Sequence, residues 1–203
     1  QTGDPMDALL VNNLQEFKIQ QAWLNGKPVV EDEHCLLPQQ PAQMMNRFAA
    51  QPVSADQLQL EHPGVPCRVI TAQDGKLLTG RCITTMPHDS ANERLIAADL
   101  NHDVLFIAVV NRYQNAPPAV ALIHGFGLQQ GAIASSVAHD SHNIVAVGTS
   151  PQWLASAINC VIEQQGALAA VDAHGTQVLP LPIAGLMSAL PAQLTGPAYR
   201  QLN

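Results

Sequence analysis

Charge is scarce in this sequence. Only 12% of its 203 residues are Asp, Glu, Lys or Arg, against a usual share of about 25%. A surface so pale is expected to be covered in part by another domain or subunit. Basic residues are the rarer sign, nine Lys and Arg against sixteen Asp and Glu, for a formal net charge of -7, and no basic run occurs. That excludes a nucleic-acid partner, because phosphate backbones are held by clustered cations that release counterions. Apolar runs stop well short of the ~20 residues that cross a membrane, and no signal peptide is seen. The chain is therefore read as cytoplasmic, with no membrane partner. Cysteine is sparse: Cys35, Cys67, Cys82 and Cys160 never fall into C-x-x-C spacing, so a thiolate metal or redox motif is excluded and reduced, buried thiols are expected.

Other absences narrow the chemistry. No G-x-S-x-G nucleophile elbow occurs. Gly125, Gly127 and Gly131 are spaced G-x-G-x-x-x-G, which is not the dinucleotide fingerprint, and no helix opens behind them. They are read as permitting a tight crossover beside the polar segment that follows. No His-x-His occurs, and the chain opens on Gln1 rather than Met, so it is read as a processed or truncated piece.

What is present is enough apolar sequence, 47% of residues, for a sizeable core. Three parts are expected. Residues 1–31 read as a strand-rich lobe: Ala8–Val11 is apolar, and Asn25-Gly26 between Gln21–Leu24 and Pro28–Val30 is a strong hairpin signal, since both turn positions require positive φ. Residues 32–66, poor in periodicity and rich in Gln and Pro, read as a linker with one short helix near Pro41–Ala50. Residues 67–203 read as a mixed-sheet domain. Strands are predicted at Arg68–Ala72, Leu77–Thr84, Val104–Asn111, Ala119–His124, Ala132–Ala138, Ile144–Val147 and Leu168–Asp172. Continuous apolar runs such as Val104–Asn111 imply strands covered on both faces. Residues 151–165 are the clearest helix, with Ser150 as cap, Pro151 in the first turn, an apolar stripe through Leu154, Ala157, Ile158, Val161 and Ile162, and Gly166 at the stop. Leu179-Pro180-Leu181-Pro182 must be extended. A short helix is predicted at Ile183–Ser188, and none over 196–203. The fold class is α+β (mixed α/β).

One segment is dense in chemistry. His139-Asp140-Ser141-His142-Asn143 places five polar residues between two apolar strands, where a sheet's end presents side chains. His139, Asp140 and His142 could converge on one metal, for which imidazole and carboxylate suit Mn, Fe or Zn, or on one polar ligand. Equally, Asp140 and Asn143 could simply satisfy backbone N–H groups in a turn. His88 with Asp89 and His102 with Asp103 read as solvated pairs, His34, His62 and His174 lack sequence partners, and Trp23 and Trp153 read as packing residues.

Gly125-Phe126-Gly127-Leu128 followed by Gly131–Ile144, together with Leu179–Ser188 and the strand Val104–Tyr113, resembles the C-terminal domain of the adenine deaminases. The opening segment, with Asp4–Ala8 and its hairpin, is similar to the small β lobe that follows the barrel in amidohydrolases. The resemblance implies a part of an enzyme that hydrolyses adenine to hypoxanthine and ammonia in purine salvage. Its Mn(2+) or Fe(2+) would be bound mainly by a barrel domain absent from this chain, which alone would be inactive. It implies adenine and that barrel as partners, and a homo-oligomer. Carried over, it implies a catalytic or accessory metal-binding role for His139, Asp140 and His142, and substrate contacts for Phe126, Ser135, Ser136, Ser141 and Asn143. The alternative is a structural or oligomerisation domain without a direct catalytic role.

Overall fold

A computed structural model describes residues 3–38 and 43–202. The chain divides into two compact units, residues 1–42 and 43–203. In the first, β1 (Ala8–Val11), β2 (Ile19–Leu24), β3 (Lys27–Glu31) and β4 (His34–Cys35) form an antiparallel sheet in chain order. Asn25 and Gly26 both take positive φ, 52° and 73°, as the two-residue hairpin demands. Among the described residues of this unit, Ala22 and Val29 are the buried apolar side chains. A sheet with so little core is marginal by itself.

The second unit is built on an eight-stranded sheet. Its strands are β5 (Cys67–Thr71), β6 (Gly80–Thr84), β7 (Val104–Val110), β8 (Ala119–His124), β9 (Ala132–Ser135), β10 (Ile144–Gly148), β11 (Ala167–Asp172) and β12 (Gly175–Pro180). They run in the order β12-β11-β9-β10-β7-β8-β5-β6. Neighbours are antiparallel except β5 with β8, which are parallel, so the sheet is mixed as expected.

Helix α1 (Pro151–Glu163) covers one face of this sheet. Its start follows the predicted chemistry: the Ser150 Oγ accepts the Trp153 N–H at 3.2 Å and Pro151 occupies the first turn. Leu154, Ala157, Ile158 and Val161 are 0% exposed and meet Phe106, Ala108, Ala134, Ala146 and Ala169 of the strands. Each fully buried Leu, Ile or Val stabilises by about 1.5–3 kcal/mol. The opposite face is only partly covered. Leu105, Ile123 and Val147 form a small second cluster there, while Ile133, Val137, Phe126 and Tyr199 stay exposed.

Several expectations change. The helix near Pro41–Ala50 is absent: residues 43–50 have no helical turn, and Pro41 and Ala42 lie outside the described residues. The stretch 32–66 divides between the two units. Its later part joins the second core through Ala50, Val53 and Leu58, and Asn159 clamps Val53 with two bonds of 2.9 Å, one to its N–H and one to its carbonyl. The helix predicted at Ile183–Ser188 is instead a tight loop closed by an Ile183–Met187 bridge. Its Ala184 has φ 55° and Gly185 φ 66°, which interrupt a right-handed helix. A helix does form further on, α2 (Ala192–Gln201), with Gly196 and Pro197 inside it and no buried residue. Such interior residues are poor helix formers, which hid it. His62 and His88 find each other, stacked with ring centroids 3.8 Å apart.

Candidate functional site at one end of the sheet

Four strand ends converge at one end of the eight-stranded sheet. The register pairs Ile144 with Val110 and Leu168 with Ser135. The ends of β7 and β9 therefore lie beside the starts of β10 and β11. Asn111–Tyr113, Ser136–Asn143 and Gly166 all emerge there. The loop after β12 joins them through Gly166, whose carbonyl accepts the Leu181 N–H at 2.9 Å.

Arg112 is the anchor of this end. The continuous apolar strand β7 carries it inward until it is 4% exposed, the one charged residue among the buried polar side chains of the described residues. Its Nη1 donates to the Ala184 carbonyl at 2.7 Å and its Nη2 to the Tyr113 hydroxyl at 3.0 Å. Its carbonyl accepts the N–H groups of Ala49 and Ala50 at 2.6 and 3.2 Å. Its backbone N–H donates to the Asn143 Oδ1 at 3.4 Å. The guanidinium carbon lies 4.8 Å from the Tyr113 ring centre and 5.9 Å from that of Phe48, so π-faces rather than a carboxylate compensate its charge. A side chain on Gly185 would collide with Nη1, so any other residue there requires the guanidinium to move.

The sequence-predicted residues sort into four places. His139 and Asp140 form the exposed tip: His139 Nδ1 is 3.0 Å from Asp140 Oδ1, with side chains 93% and 91% exposed. Asp140 (φ 67°) and His142 (φ 50°) both sit in the left-handed region, as do seven other non-glycine residues among those described; Asp and His are among the types that enter it most readily. Below the tip, the His142 N–H donates to the Ala138 carbonyl at 2.7 Å, and the Ser141 Oγ accepts the Asn143 N–H at 3.4 Å. Ser136, 0% exposed, belongs to the base. Its hydroxyl donates to the Gly185 carbonyl at 2.6 Å and accepts the Ala167 N–H at 3.0 Å. Ser135 faces the other side of the sheet. With Phe126, Ile107, Val145, Leu168 and Tyr199 it lines an apolar cavity of about 400 Å³ on the half-covered face.

The glycine segment is not beside the polar turn. His124 pairs with Val104, at the opposite end of β7 from Val110. The amides of Gly125 and Gly127 donate to the Asp103 carboxylate at 2.8 and 2.7 Å. Asp103 is thus a structural acceptor rather than a solvated residue, and it occupies the donors a phosphate would use. Nearby, His102 Nδ1 lies 2.7 Å from Asp99 Oδ2. Hydrogen bonding to His102 holds the Asp99 carboxyl below its ordinary value.

Three buried polar atoms of the described residues lack a hydrogen-bond partner: Arg112 Nε, Asn46 Oδ1 and His142 Nδ1. Asn46 reaches this end of the sheet through its Nδ2, which donates to the Gln165 carbonyl at 2.5 Å. Sequence reasoning singled out His142 but passed over Arg112, Asn46 and Gly185. The available signals were an Arg closing an unbroken apolar strand and a glycine inside the second family-like segment. Among the described residues, no three His, Cys, Asp or Glu side chains gather as a metal-binding group.

The fold and this sheet end define a strand-rich α+β domain with a buried arginine near the foot of an exposed polar turn. Residues 76–203 match the family model of the adenine deaminase C-terminal domain. The chain is 44% identical over 202 residues to an adenine deaminase of Salinibacter ruber, covering 99% of this chain and 36% of that relative. It is 37% identical to an adenine deaminase of Parabacteroides distasonis, with the same 99% and 36% coverage. For that of Methanosarcina mazei the identity is 35%, over 99% of this chain and 38% of the relative. The chain belongs to the adenine deaminase family, and its residues 76–203 correspond to the C-terminal domain of that family. It spans little more than a third of the length of these relatives.

Proposed function

We propose that this domain completes the active site of an enzyme that hydrolyses adenine to hypoxanthine and ammonia in purine salvage. The observation that carries the reading is the turn itself. An exposed His139–Asp140 pair stands on a turn whose Asp140 and His142 take left-handed backbone, over the buried, hydrogen-bonded Arg112 and Ser136. Backbone of this kind costs about 1–3 kcal/mol per residue and persists where the surrounding structure holds it in place.

In this reading the tip reaches toward the purine held by the rest of the enzyme. In this reading Asp140 Oδ1, 3.0 Å from the His139 Nδ1, favours the ring proton on that nitrogen and leaves Nε2 as an acceptor for a substrate N–H or for a transferred proton. Ser141 and Asn143 shape the turn. The metal, Mn(2+) or Fe(2+), belongs to the barrel in this proposal. His139, Asp140 and His142 do not form a three-ligand set within this chain, and no step is assigned to a metal bound by them alone.

The half-covered sheet face supports a second part of the proposal. Phe126, Ile133, Val137 and Tyr199 are exposed around the apolar cavity, and such a surface fits packing against the barrel domain or a second copy in a homo-oligomer. A structural or oligomerisation role without catalysis is the competing reading, favoured by this face alone. A cytoplasmic setting accords with the four unpaired cysteines. No described helix is long and apolar enough to cross a membrane.

The test is ammonia release from adenine by the full-length enzyme carrying His139→Ala or Asp140→Ala. Removing the exposed His139 side chain leaves stability within about 0.5 kcal/mol, whereas Ala at residue 140 (φ 67°) adds a backbone cost, so melting is measured beside turnover. Turnover should nevertheless fall by about 100-fold. Unchanged turnover in both variants would remove the turn from the site and leave the structural role.

A further inference from the structure

We infer that Arg112 is a positioning residue for the 139–143 turn, acting through Asn143, and that Gly185 is required because it makes room for the guanidinium. The inference rests on the proposed role of the turn and adds the element that holds it. Arg112 touches three segments distant in sequence. Its carbonyl ties down Ala49 and Ala50, its Nη1 holds Ala184, and its N–H holds the Asn143 side chain at the foot of the turn. A guanidinium buried without a carboxylate partner among the described residues is expensive to keep. Here its geometry is used: planar, with donors in a fixed fork, it spans the Ala184 carbonyl and the Tyr113 hydroxyl at once, which a lysine ammonium on a flexible stem cannot copy.

The dependence on Gly185 is mutual. Gly185 approaches so closely that any Cβ would push Nη1 aside. Its φ of 66° is one that glycine adopts freely, and its carbonyl is already taken by Ser136. Moving Arg112 therefore disturbs the Ala184–Gly185 loop, the Ser136 base and the Asn143 contact together. The link to the turn is the Arg112 backbone N–H, which donates to the Asn143 Oδ1 at 3.4 Å, so the side chain acts by fixing where that amide lies.

The experiment uses the full-length enzyme with Arg112→Lys, Gly185→Ala, Asn143→Ala and the double variant Arg112→Lys/Asn143→Ala. Steady-state deamination is measured alongside thermal melting. Arg112→Lys and Gly185→Ala should each lower kcat by about tenfold or more with KM little changed, because the turn is misplaced while substrate binding elsewhere persists. The double variant should be no slower than the worse single variant, the non-additivity expected of residues acting through one contact. Gly185→Ala keeps the guanidinium and only displaces it, so it separates position from charge. Should either variant melt too low to assay, the backbone and side-chain amide NMR signals of Asn143 in the 203-residue chain with Arg112→Lys give the answer. They should move, while a core variant such as Val171→Ala leaves them in place. Normal kcat in Arg112→Lys beside a slow Asn143→Ala enzyme, or strictly additive losses, would overturn the inference and leave the site reading intact. Normal kcat in Asn143→Ala, His139→Ala and Asp140→Ala alike would instead overturn the site reading.

Discussion

Ser136 and Gly185 are 49 residues apart in sequence, and the Ser136 hydroxyl donates to the Gly185 carbonyl at 2.6 Å. This one bond joins the segment that ends β9 to the loop that follows β12, the two stretches in which the family resemblance is concentrated. It also decides the use of Ser136. With its hydroxyl donating to Gly185 and accepting from the Ala167 N–H, Ser136 has its hydrogen-bonding capacity engaged inside the domain.

Ser136→Ala is therefore a stability variant. It leaves the buried Gly185 carbonyl and Ala167 N–H without these partners. An unsatisfied buried group costs about 1–3 kcal/mol. Urea unfolding of the 203-residue chain should show a lower midpoint with an unchanged slope. A midpoint equal to that of the parent chain would mean that both groups re-pair elsewhere.

The cysteines should react in two classes. Cys35 and Cys82 are exposed, Cys67 and Cys160 partly buried. Burial pushes the Cys160 thiol up, and the neighbouring Glu163 adds to the effect, so less of its reactive thiolate forms near neutral pH. A thiol-specific reagent followed by mass spectrometry should label Cys35 and Cys82 first and Cys160 late. Early labelling of Cys160 would show that α1 opens locally.

Acid should weaken the domain partly through Asp99. Hydrogen bonding to His102 holds the Asp99 carboxyl below its ordinary value in the folded chain. A lowered folded value favours the folded state above the unfolded carboxylate value, about pH 3.9, and that contribution is lost as the pH falls through the lowered value. Asp99→Asn removes the titration but keeps an oxygen for the His102 N–H, which Asp99 accepts at 3.2 Å. Unfolding free energies measured between about pH 2.5 and 5 should fall less steeply in Asp99→Asn than in the parent. Parallel curves would show that the bond to His102 does not govern the acid response.

Local chemistry made much of this protein readable. The Asn25-Gly26 hairpin, the Ser150–Pro151 start of α1, its apolar stripe and the unbroken strand β7 are each specified within a few residues, by turn geometry, capping and periodicity. The polar run 139–143 was legible for the same reason: five polar residues between apolar strands must emerge at a sheet's end. What sequence alone did not decide lies between distant residues. The order β12-β11-β9-β10-β7-β8-β5-β6, the packing of Val53 and Leu58 into the core, and the meeting of Arg112 with Gly185 depend on which surfaces bury one another. Helix α2, with Gly196 and Pro197 inside it, has no local signal strong enough to announce it. Periodicity identifies a buried face but not its partner, and burial is a property of the assembled chain. The sequence alone determined that this domain has an exposed polar turn, and tertiary packing decided that a buried arginine stands beneath it.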